Sequence, residues 1–214
     1  MTSPKPLDLA ALGQSHTQLT EALWQGLQQY AAPSELQLPE EPDLLTETGL
    51  VRALGQETSH TIAVWIPRKV GTTWLCAVEI HGFLEARLHI PGQGAVDALQ
   101  GAMRLLRLYE SDIPLDLTPS RGPGPHPDTG PPPENQGVAD PIAHDIWQDR
   151  TGTTHDIRIG RPAQHPNDKG LWYCPVDIGP EHLNVQGVSA LGTLRNGLRY
   201  LTLKLHADLE SLSL

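Results

Sequence analysis

Trp74-Leu-Cys76-Ala-Val78-Glu-Ile80 returns later in the chain as Trp172-Tyr-Cys174-Pro-Val176-Asp-Ile178, and the two copies contain both cysteines of the protein. Large or apolar residues recur at every second position, which is the period of a β-strand with one covered face. The two stretches are therefore predicted to be equivalent strands of an internally duplicated fold.

A helix is predicted after each of these strands. Val96-Asp-Ala-Leu99 in the first copy matches Val188-Ser-Ala-Leu191 in the second, and leucine-rich helical spacing follows both. The match places Ser189 opposite Asp97, so both are predicted to cap a helix N-terminus. Gly187-Val-Ser189-Ala-Leu-Gly192 also lacks the spacing of a nucleophile elbow, which favours the cap over a catalytic serine. Glycines within these helices suggest that another backbone comes close, and that the two helices cross.

The pattern predicts an α+β protein of two tandem β-β-β-β-α repeats in a pseudo-two-fold arrangement, preceded by an N-terminal helix. Residues 1–45 are assigned to that helix and a connector, residues 46–110 to repeat 1, residues 111–141 to a proline-rich linker, and residues 142–214 to repeat 2. The predicted strands are 50–54, 61–66, 73–81 and 85–90 in the first repeat, and 142–148, 154–159, 171–178 and 182–186 in the second.

The N-terminal helix is predicted from a capping box at Ser15-His-Thr-Gln18, followed by Leu19, Leu23, Leu27 and Tyr30 at helical spacing. The linker holds nine of the twenty prolines of the chain, so it is expected to act as a semi-rigid spacer.

The charge of the chain is concentrated outside the repeats. The formal net charge is −10, but residues 1–45 carry one basic and six acidic side chains, and residues 111–141 carry one and five. Because the repeats are nearly neutral by this count, direct binding of nucleic acid is not expected. No apolar run has the length of a membrane span, and the first residues do not form an export signal, so a cytoplasmic protein without a membrane partner is predicted.

Metal binding and cysteine chemistry are both weakly supported by the residue patterns. Cys76 and Cys174 each stand alone in the middle of a strand, which favours core packing. His144 and His155 lie in facing strands of the second repeat, where Asp145 and Asp156 offer further ligands. Since no established metal-ligand spacing is present, no metal and no cofactor is predicted.

Three further strand residues bear on function. Glu79 and Asp177 occupy equivalent positions on the face opposite the tryptophan and cysteine, and solvated strand acids are commoner than paired catalytic ones. Pro175 cannot donate a hydrogen bond to a neighbouring strand, so the strand that contains it is predicted to be an edge or to be bulged there. An exposed edge favours an interaction protein.

The motifs Ile159-Gly-Arg-Pro162, Trp172-Tyr-Cys174 and Gly187-Val-Ser-Ala-Leu191 resemble those of a small bacterial α+β domain family with the pattern W-x-C…I-x-G…G-V-D-x-L-Q-A-L. Ile66-Pro-Arg68 and Gly94-Ala-Val-Asp-Ala-Leu-Gln100 are the corresponding stretches of the first repeat. The family carries no assigned activity, so the resemblance implies a fold and no catalytic residue. Members have a single unit, whereas this chain has two.

The leading hypothesis is a non-enzymatic, cytoplasmic module that binds another protein, in the manner of an immunity protein or an inhibitor. The alternative is a small-molecule or hydrolytic site in the groove between the two repeats. Its predicted lining residues are His81, His89, Glu79, Asp177 and His182.

Overall fold

A computed structural model describes residues 36–53, 56–81, 87–112, 137–148 and 152–210. Two five-stranded antiparallel sheets, each followed by one helix, make up these regions. The α+β class and the two repeats are thus confirmed. The predicted N-terminal helix and most of the proline-rich linker lie outside the described residues.

The first sheet is built around one long strand. Its elements are β1 (Leu45–Ala53), β2 (Gln56–Val64), β3 (Arg68–Val70), β4 (Thr73–His81) and β5 (Leu88–Gly92). β4 pairs with β2 and β3 along one side and with β5 along the other. β1 extends the sheet beyond β2. Helix α1 (Ala95–Asp112) then packs on β4 and β5.

The second sheet repeats this arrangement. Its elements are β6 (Ala143–Gln148), β7 (Thr154–Ile159), β8 (Ala163–His165), β9 (Asp168–Ile178) and β10 (Glu181–Gly187), followed by helix α2 (Ala190–Glu210). β9 holds the central place, with β7 and β8 on one side and β10 on the other. Pairing partners correspond between the repeats: Ile62 lies opposite Ile80, as Ile157 lies opposite Ile178.

The prediction of four strands per repeat is wrong by one strand. β3 and β8 have three residues each, too few to show a periodic pattern. They continue along β4 and β9 in the direction of β2 and β7 after a break in the pairing that contains Pro67 and Pro162. The first hairpin is also tighter than predicted. Residues 56–60, which lie between the two predicted strands, belong to β2, whose first residue, Gln56, pairs with Ala53.

Pro175 lies in the central strand β9, so the prediction of an edge at this position is wrong. The alternative prediction of a bulge agrees with the pairing: the chain advances four residues from Ile159 to Ala163, but only three residues between their partners Val176 and Tyr173. The Pro175 carbonyl accepts a hydrogen bond from the amide of Gly160, at 2.8 Å. The nitrogen and carbonyl of one strand residue face the same neighbour. The side of Pro175 that lacks an amide hydrogen therefore faces residues 160–162, which lie between Ile159, the last residue of β7, and Ala163, the first of β8. No ladder bond is lost there.

Both repeats contribute to one hydrophobic core. The core contains Cys76, Val78 and Ile80 of β4 together with Cys174, Val176 and Ile178 of β9, and it includes the inward leucines of both helices. A smaller cluster on the opposite face of the first sheet joins Ala63, Trp65 and Ala77 to Leu38 of the connector. The inner faces of the two sheets are thus buried together.

Each repeat caps the helix of the other. The Asp145 carboxylate on β6 accepts hydrogen bonds from the amides of Ala95 and Val96, at 2.9 and 2.8 Å, at the start of α1. The Glu47 carboxylate on β1 accepts one from the amide of Leu191, at 3.0 Å, at the start of α2. Glu47 pairs with Ile62 as Asp145 pairs with Ile157, so these acids hold equivalent positions. Carboxylates at helix N-termini satisfy unpaired amides and the helix dipole.

The observed helix starts correct the predicted alignment of the two helices. The Ala98 amide donates to the carbonyl of Gly94 as the Thr193 amide donates to that of Ser189. Ser189 therefore corresponds to Gly94, and Asp97 lies within the first turn of α1, where it accepts a hydrogen bond from the amide of Gln93. With the same offset between the repeats as for Gly94 and Ser189, Val64 and Pro67 correspond to Ile159 and Pro162.

Two of the three glycines within the helices, Gly101 and Gly197, face the sheets. A Cβ atom on Gly101 would lie 2.9 Å from Ile90, and one on Gly197 would lie 3.2 Å from Val176 and 3.3 Å from Cys174. The close approach inferred from these glycines therefore joins each helix to its own sheet, and not to the other helix as predicted.

Candidate functional site

The two cysteines are core residues, as predicted. Both are fully buried as free thiols, and each Sγ lies 3.4 Å from a backbone carbonyl, that of Trp65 for Cys76 and that of Gly160 for Cys174. Burial raises the pKa of Cys174 to about 12, and burial together with the Asp43 charge raises that of Cys76 further. Thiols held in this form are poor nucleophiles and poor metal ligands.

The histidines considered for a metal site lie on opposite faces of the second sheet. His144 pairs across the strands with Arg158, whereas His155 pairs with Trp147 and stacks against its ring at 5.5 Å. The Nε2 atom of His144 lies 2.7 Å from Asp156, which also binds Arg158. Slight burial opposes ionisation of Asp156, but these two hydrogen bonds outweigh it and lower the pKa of the carboxyl.

Asp145, the remaining candidate metal ligand, caps α1 on the inner face. Among the described residues, no group of three or more histidine, cysteine, aspartate or glutamate side chains is placed to hold a metal ion.

Ser189 caps α2. Its Oγ accepts a hydrogen bond from the amide of Gly192 at 3.1 Å, three residues into the helix. This contact is the one expected of an N-cap serine. The prediction of a cap is confirmed, although the residue matched to it in the first repeat is Gly94.

Glu79 belongs to a polar cluster on the outer face of the first sheet. Its carboxylate accepts a hydrogen bond from Nε of Arg87 at 2.5 Å and lies 3.1 Å from Nε2 of His81. The Arg87 guanidinium also stacks over Trp65, 4.1 Å from the ring centroid. Burial and the Arg87 charge lower the pKa of the nearby His89, against the opposing effect of Glu79.

Asp177 is held inside the second repeat. It is buried, and its carboxylate accepts the backbone amide of Val138 at 2.7 Å and lies 2.8 Å from Nδ1 of His182. Val138 belongs to the segment that leads into the second repeat, so Asp177 anchors this segment on the outer face of the sheet.

The groove proposed for these five residues does not form as predicted. Glu79, His81 and His89 are gathered on one outer sheet face, and Asp177 and His182 on the other, because each set follows the strand face opposite the shared core. The residues come together within each repeat and not between the repeats.

A cleft between the two helices is the candidate site that the structure reveals. It has a volume of about 510 Å³. Its floor is formed by the buried side chains of Met103 and Leu198, one from each helix. Its remaining lining residues are Gln100, Arg104, Arg107, Arg195, Asn196, Arg199, Thr202 and Leu203.

Equivalent residues of the two repeats line this cleft. In the corrected alignment Met103 corresponds to Leu198, and Arg104 corresponds to Arg199. Gln100 and Thr202 meet at one end of the cleft through a hydrogen bond of 3.3 Å between Nε2 and Oγ1. Thr202 also donates to the carbonyl of Leu198, which fixes its hydroxyl.

Arginine is concentrated in this cleft although the chain has a net charge of −10. Four arginines line it, and no carboxylate is among the lining residues whose side chains the structure describes. The Nε and Nη2 atoms of Arg195 are shielded from solvent. Because charges interact more strongly where water is excluded, an anion in this cleft gains more than it would at an open surface.

A count of charges by segment could not reveal this cleft. The second repeat is nearly neutral in total, yet its helix places Arg195 and Arg199 one turn apart, and α1 places Arg104 and Arg107 likewise. The spacing was available in the sequence. What was missing was the contact between the two helices, which depends on how the repeats dock.

Comparison of the chain with models of protein families, with curated protein sequences and with solved structures gives no match. Among the helices described, none combines the length and the apolar character that crossing a bilayer requires.

Proposed function

We propose that this chain is a non-enzymatic, cytoplasmic protein-binding module, built as a fused pseudo-dimer, whose cleft between α1 and α2 receives an acidic segment of a partner protein. The gathering of four arginines over an apolar floor supports this proposal. The exchanged helix caps and the shared core support a pseudo-two-fold relation between the repeats.

The chemistry of the cleft favours an amphipathic occupant. Met103 and Leu198 offer a buried apolar surface, and Leu203 at the rim is 58% exposed. The arginines supply planar guanidinium groups, which bind carboxylates through paired hydrogen bonds. A helix with a leucine stripe and flanking glutamates satisfies both requirements, as in other helix-in-groove complexes.

The lining residues suit binding rather than catalysis. Those that the structure describes are arginines, amides, apolar side chains and Thr202, whose hydroxyl is already hydrogen-bonded to Gln100 and to a backbone carbonyl. Acid–base catalysis requires a residue that exchanges protons near neutral pH. We therefore assign the cleft to the binding of a partner protein. The proposed role of the module is that of an immunity protein or an inhibitor.

A second candidate function is the binding of a small anionic molecule in the same cleft. Its volume of about 510 Å³ falls within the range of pockets that hold small ligands. This alternative keeps a ligand site between the repeats but moves it from the sheet residues to the helices.

The test is affinity capture from the lysate of the host organism with three forms of the full chain. These are the wild-type protein, the Arg104→Gln/Arg199→Gln variant, and a control, Lys69→Gln/Lys169→Gln, that removes the same charge from two exposed positions outside the cleft. We expect one protein to be retained by the wild type and the control and lost from the cleft variant. Cross-linking should map its contact to an acidic stretch.

Capture of the same proteins by all three forms, or of none, would overturn the proposal. A thermal shift with tripolyphosphate or citrate, lost in the cleft variant, together with capture of no protein, would establish the small-anion function instead. The variants change exposed arginines or exposed lysines, so circular dichroism should show an unchanged fold for each.

A further inference from the structure

The strand β6 forms an open edge of the second sheet. Among the described residues it pairs with β7 alone, and that ladder runs without a shift from Ala143 to Gln148. Proline, lysine and bulges are common means by which proteins block the addition of a strand to an edge, and β6 contains none of them. The carboxylate of β6, that of Asp145, is bound to two amides of α1. β6 therefore carries no feature of its own that opposes a further strand.

The pairing on the other side of β7 shows which backbone groups face this edge. The Gly179 amide donates to the carbonyl of Asp156, so the backbone of Asp156 faces β9 and that of the next residue, Ile157, faces β6. Ile157 pairs with Asp145, whose own amide and carbonyl therefore face β7. The direction alternates along a strand. The residues of β6 whose amides and carbonyls point to the open edge are thus His144, Ile146 and Gln148.

Ile146, the middle one of these three residues, has an exposed apolar side chain. It is 71% exposed, more than any other large apolar side chain of the described residues. Its cross-strand neighbour is Asp156, whose carboxylate is bound to two other side chains. The equivalent residue of the first repeat is Thr48, whose hydroxyl lies 2.9 Å from that of its cross-strand neighbour Thr61. The first repeat thus has a satisfied polar pair at the position where the second exposes an isoleucine.

We infer that β6 is a dimerisation edge, to which a second copy of this chain adds its own β6 in antiparallel orientation about a two-fold axis at Ile146. With the axis there, the Ile146 residues of the two copies meet, and His144 of each copy pairs with Gln148 of the other. Each outward amide then donates to an outward carbonyl of the other copy. A shift of the axis by one residue in either direction leaves one outward residue of each copy without a partner in β6.

The side chains along this edge are self-complementary. Isoleucine meets isoleucine at the axis, and cross-strand aliphatic pairs stabilise a sheet. A histidine faces an amide on either side of the axis, so no two like charges are opposed. The equivalent axis on β1 would bring two copies of Thr48 together in place of two isoleucines. A second copy bound through β6 is therefore the occupant that this edge fits.

The proposed contact is small and closed. β6 has six residues, whereas a standard interface has roughly 20–30 residues a side, so we expect a weak dimer that forms at high protein concentration. An isologous two-fold contact uses the same edge of both copies, and assembly stops at two chains. The inference does not depend on the proposed function, because the arginine cleft is formed by the helices.

The first test is sedimentation velocity of the full chain over a range of concentrations, with the wild type, Ile146→Lys and Thr48→Lys. The first variant places a lysine of each copy at the axis, and the second changes the equivalent position of β1. We expect Ile146→Lys to weaken dimerisation at least tenfold and Thr48→Lys to change it less than threefold. Both positions are exposed, so circular dichroism should show the same fold for all three forms.

Cysteine cross-linking tests the register. His144→Cys and Gln148→Cys are made in separate full chains and mixed under mild oxidation. We expect the mixed disulfide to form at least tenfold faster than a disulfide of either variant with itself, because only the unlike positions are opposed across the axis. The native cysteines are buried and do not compete.

Several results would overturn the inference. A monomer at every concentration, or a dimer that Ile146→Lys leaves intact, would exclude β6 as the interface. Longer assemblies, lost in both lysine variants, would mean that β6 pairs with β1 of the next copy, and the closed dimer would be wrong. Disulfides that form equally fast between like positions would exclude the axis at Ile146. None of these results concerns the arginine cleft, so the lysate experiment tests the proposed function separately.

Discussion

At the scale of single residues, the strongest link between the repeats is the exchange of helix caps. The Asp145 carboxylate satisfies two amides of α1, and the Glu47 carboxylate satisfies one amide of α2. We expect Asp145→Ala to lower the free energy of unfolding by about 2 kcal/mol and Glu47→Ala by about 1 kcal/mol, in proportion to the amides left unpaired. Urea denaturation followed by circular dichroism measures both.

Asp140→Ala serves as the control for loss of an acid, because Asp140 is exposed on the segment before β6, and its effect should stay within about 0.5 kcal/mol. If Asp145→Ala is as mild as the control, the carboxylate does not stabilise the helix start.

At the scale of elements, the ends of β5 and β10 require glycine. A Cβ atom on Gly92 would lie 2.2 Å from the backbone nitrogen of Ala98, and one on Gly187 would lie 2.9 Å from that of Thr193. These contacts are with helix backbone, which cannot move aside as a side chain can. We expect Gly92→Ala to destabilise the protein by about 2–3 kcal/mol, measured by thermal or urea unfolding.

Gly192→Ala is the matched comparison, since its added Cβ meets only the Ser189 hydroxyl, at 3.2 Å, and the change removes a glycine from a helix. It should be neutral or slightly stabilising. Equal destabilisation by the two substitutions would show that loss of glycine, and not the close approach to α1, is responsible.

The same scale shows which elements a sequence can predict. β4 and β7 were predicted with their observed bounds because each alternates between a core face and an outer face over several residues. β3 and β8 were missed because three residues show no period, and these strands are held by pairing with the long strand that follows each of them after a tight turn. The prediction of an edge at Pro175 is wrong because proline lacks only the backbone amide donor. Whether that loss costs a hydrogen bond depends on where β7 ends and β8 begins.

At the scale of the whole molecule, neither the cleft nor the exchanged caps follow from either repeat alone. Cys76 and Cys174 could be placed in the core from their own strands. Asp145 reaches the start of α1, and the four arginines line one cleft, only when the repeats dock. The polar strand residues were correctly placed on the face opposite the cysteines. They were wrongly expected to meet between the repeats, since the shared core occupies that space.

A shared core has a direct thermodynamic consequence, because neither repeat can unfold without exposing the other. Leu99 and Leu194 are equivalent, fully buried leucines of the two helices in that core. Leu99→Ala and Leu194→Ala should each cost about 2–5 kcal/mol and shift one and the same unfolding transition. Hydrogen exchange read by mass spectrometry should then show faster exchange in α2 of the Leu99→Ala variant as well as in α1. Two separate transitions, with faster exchange confined to the altered repeat, would mean that the repeats fold independently and that the shared core does not couple them.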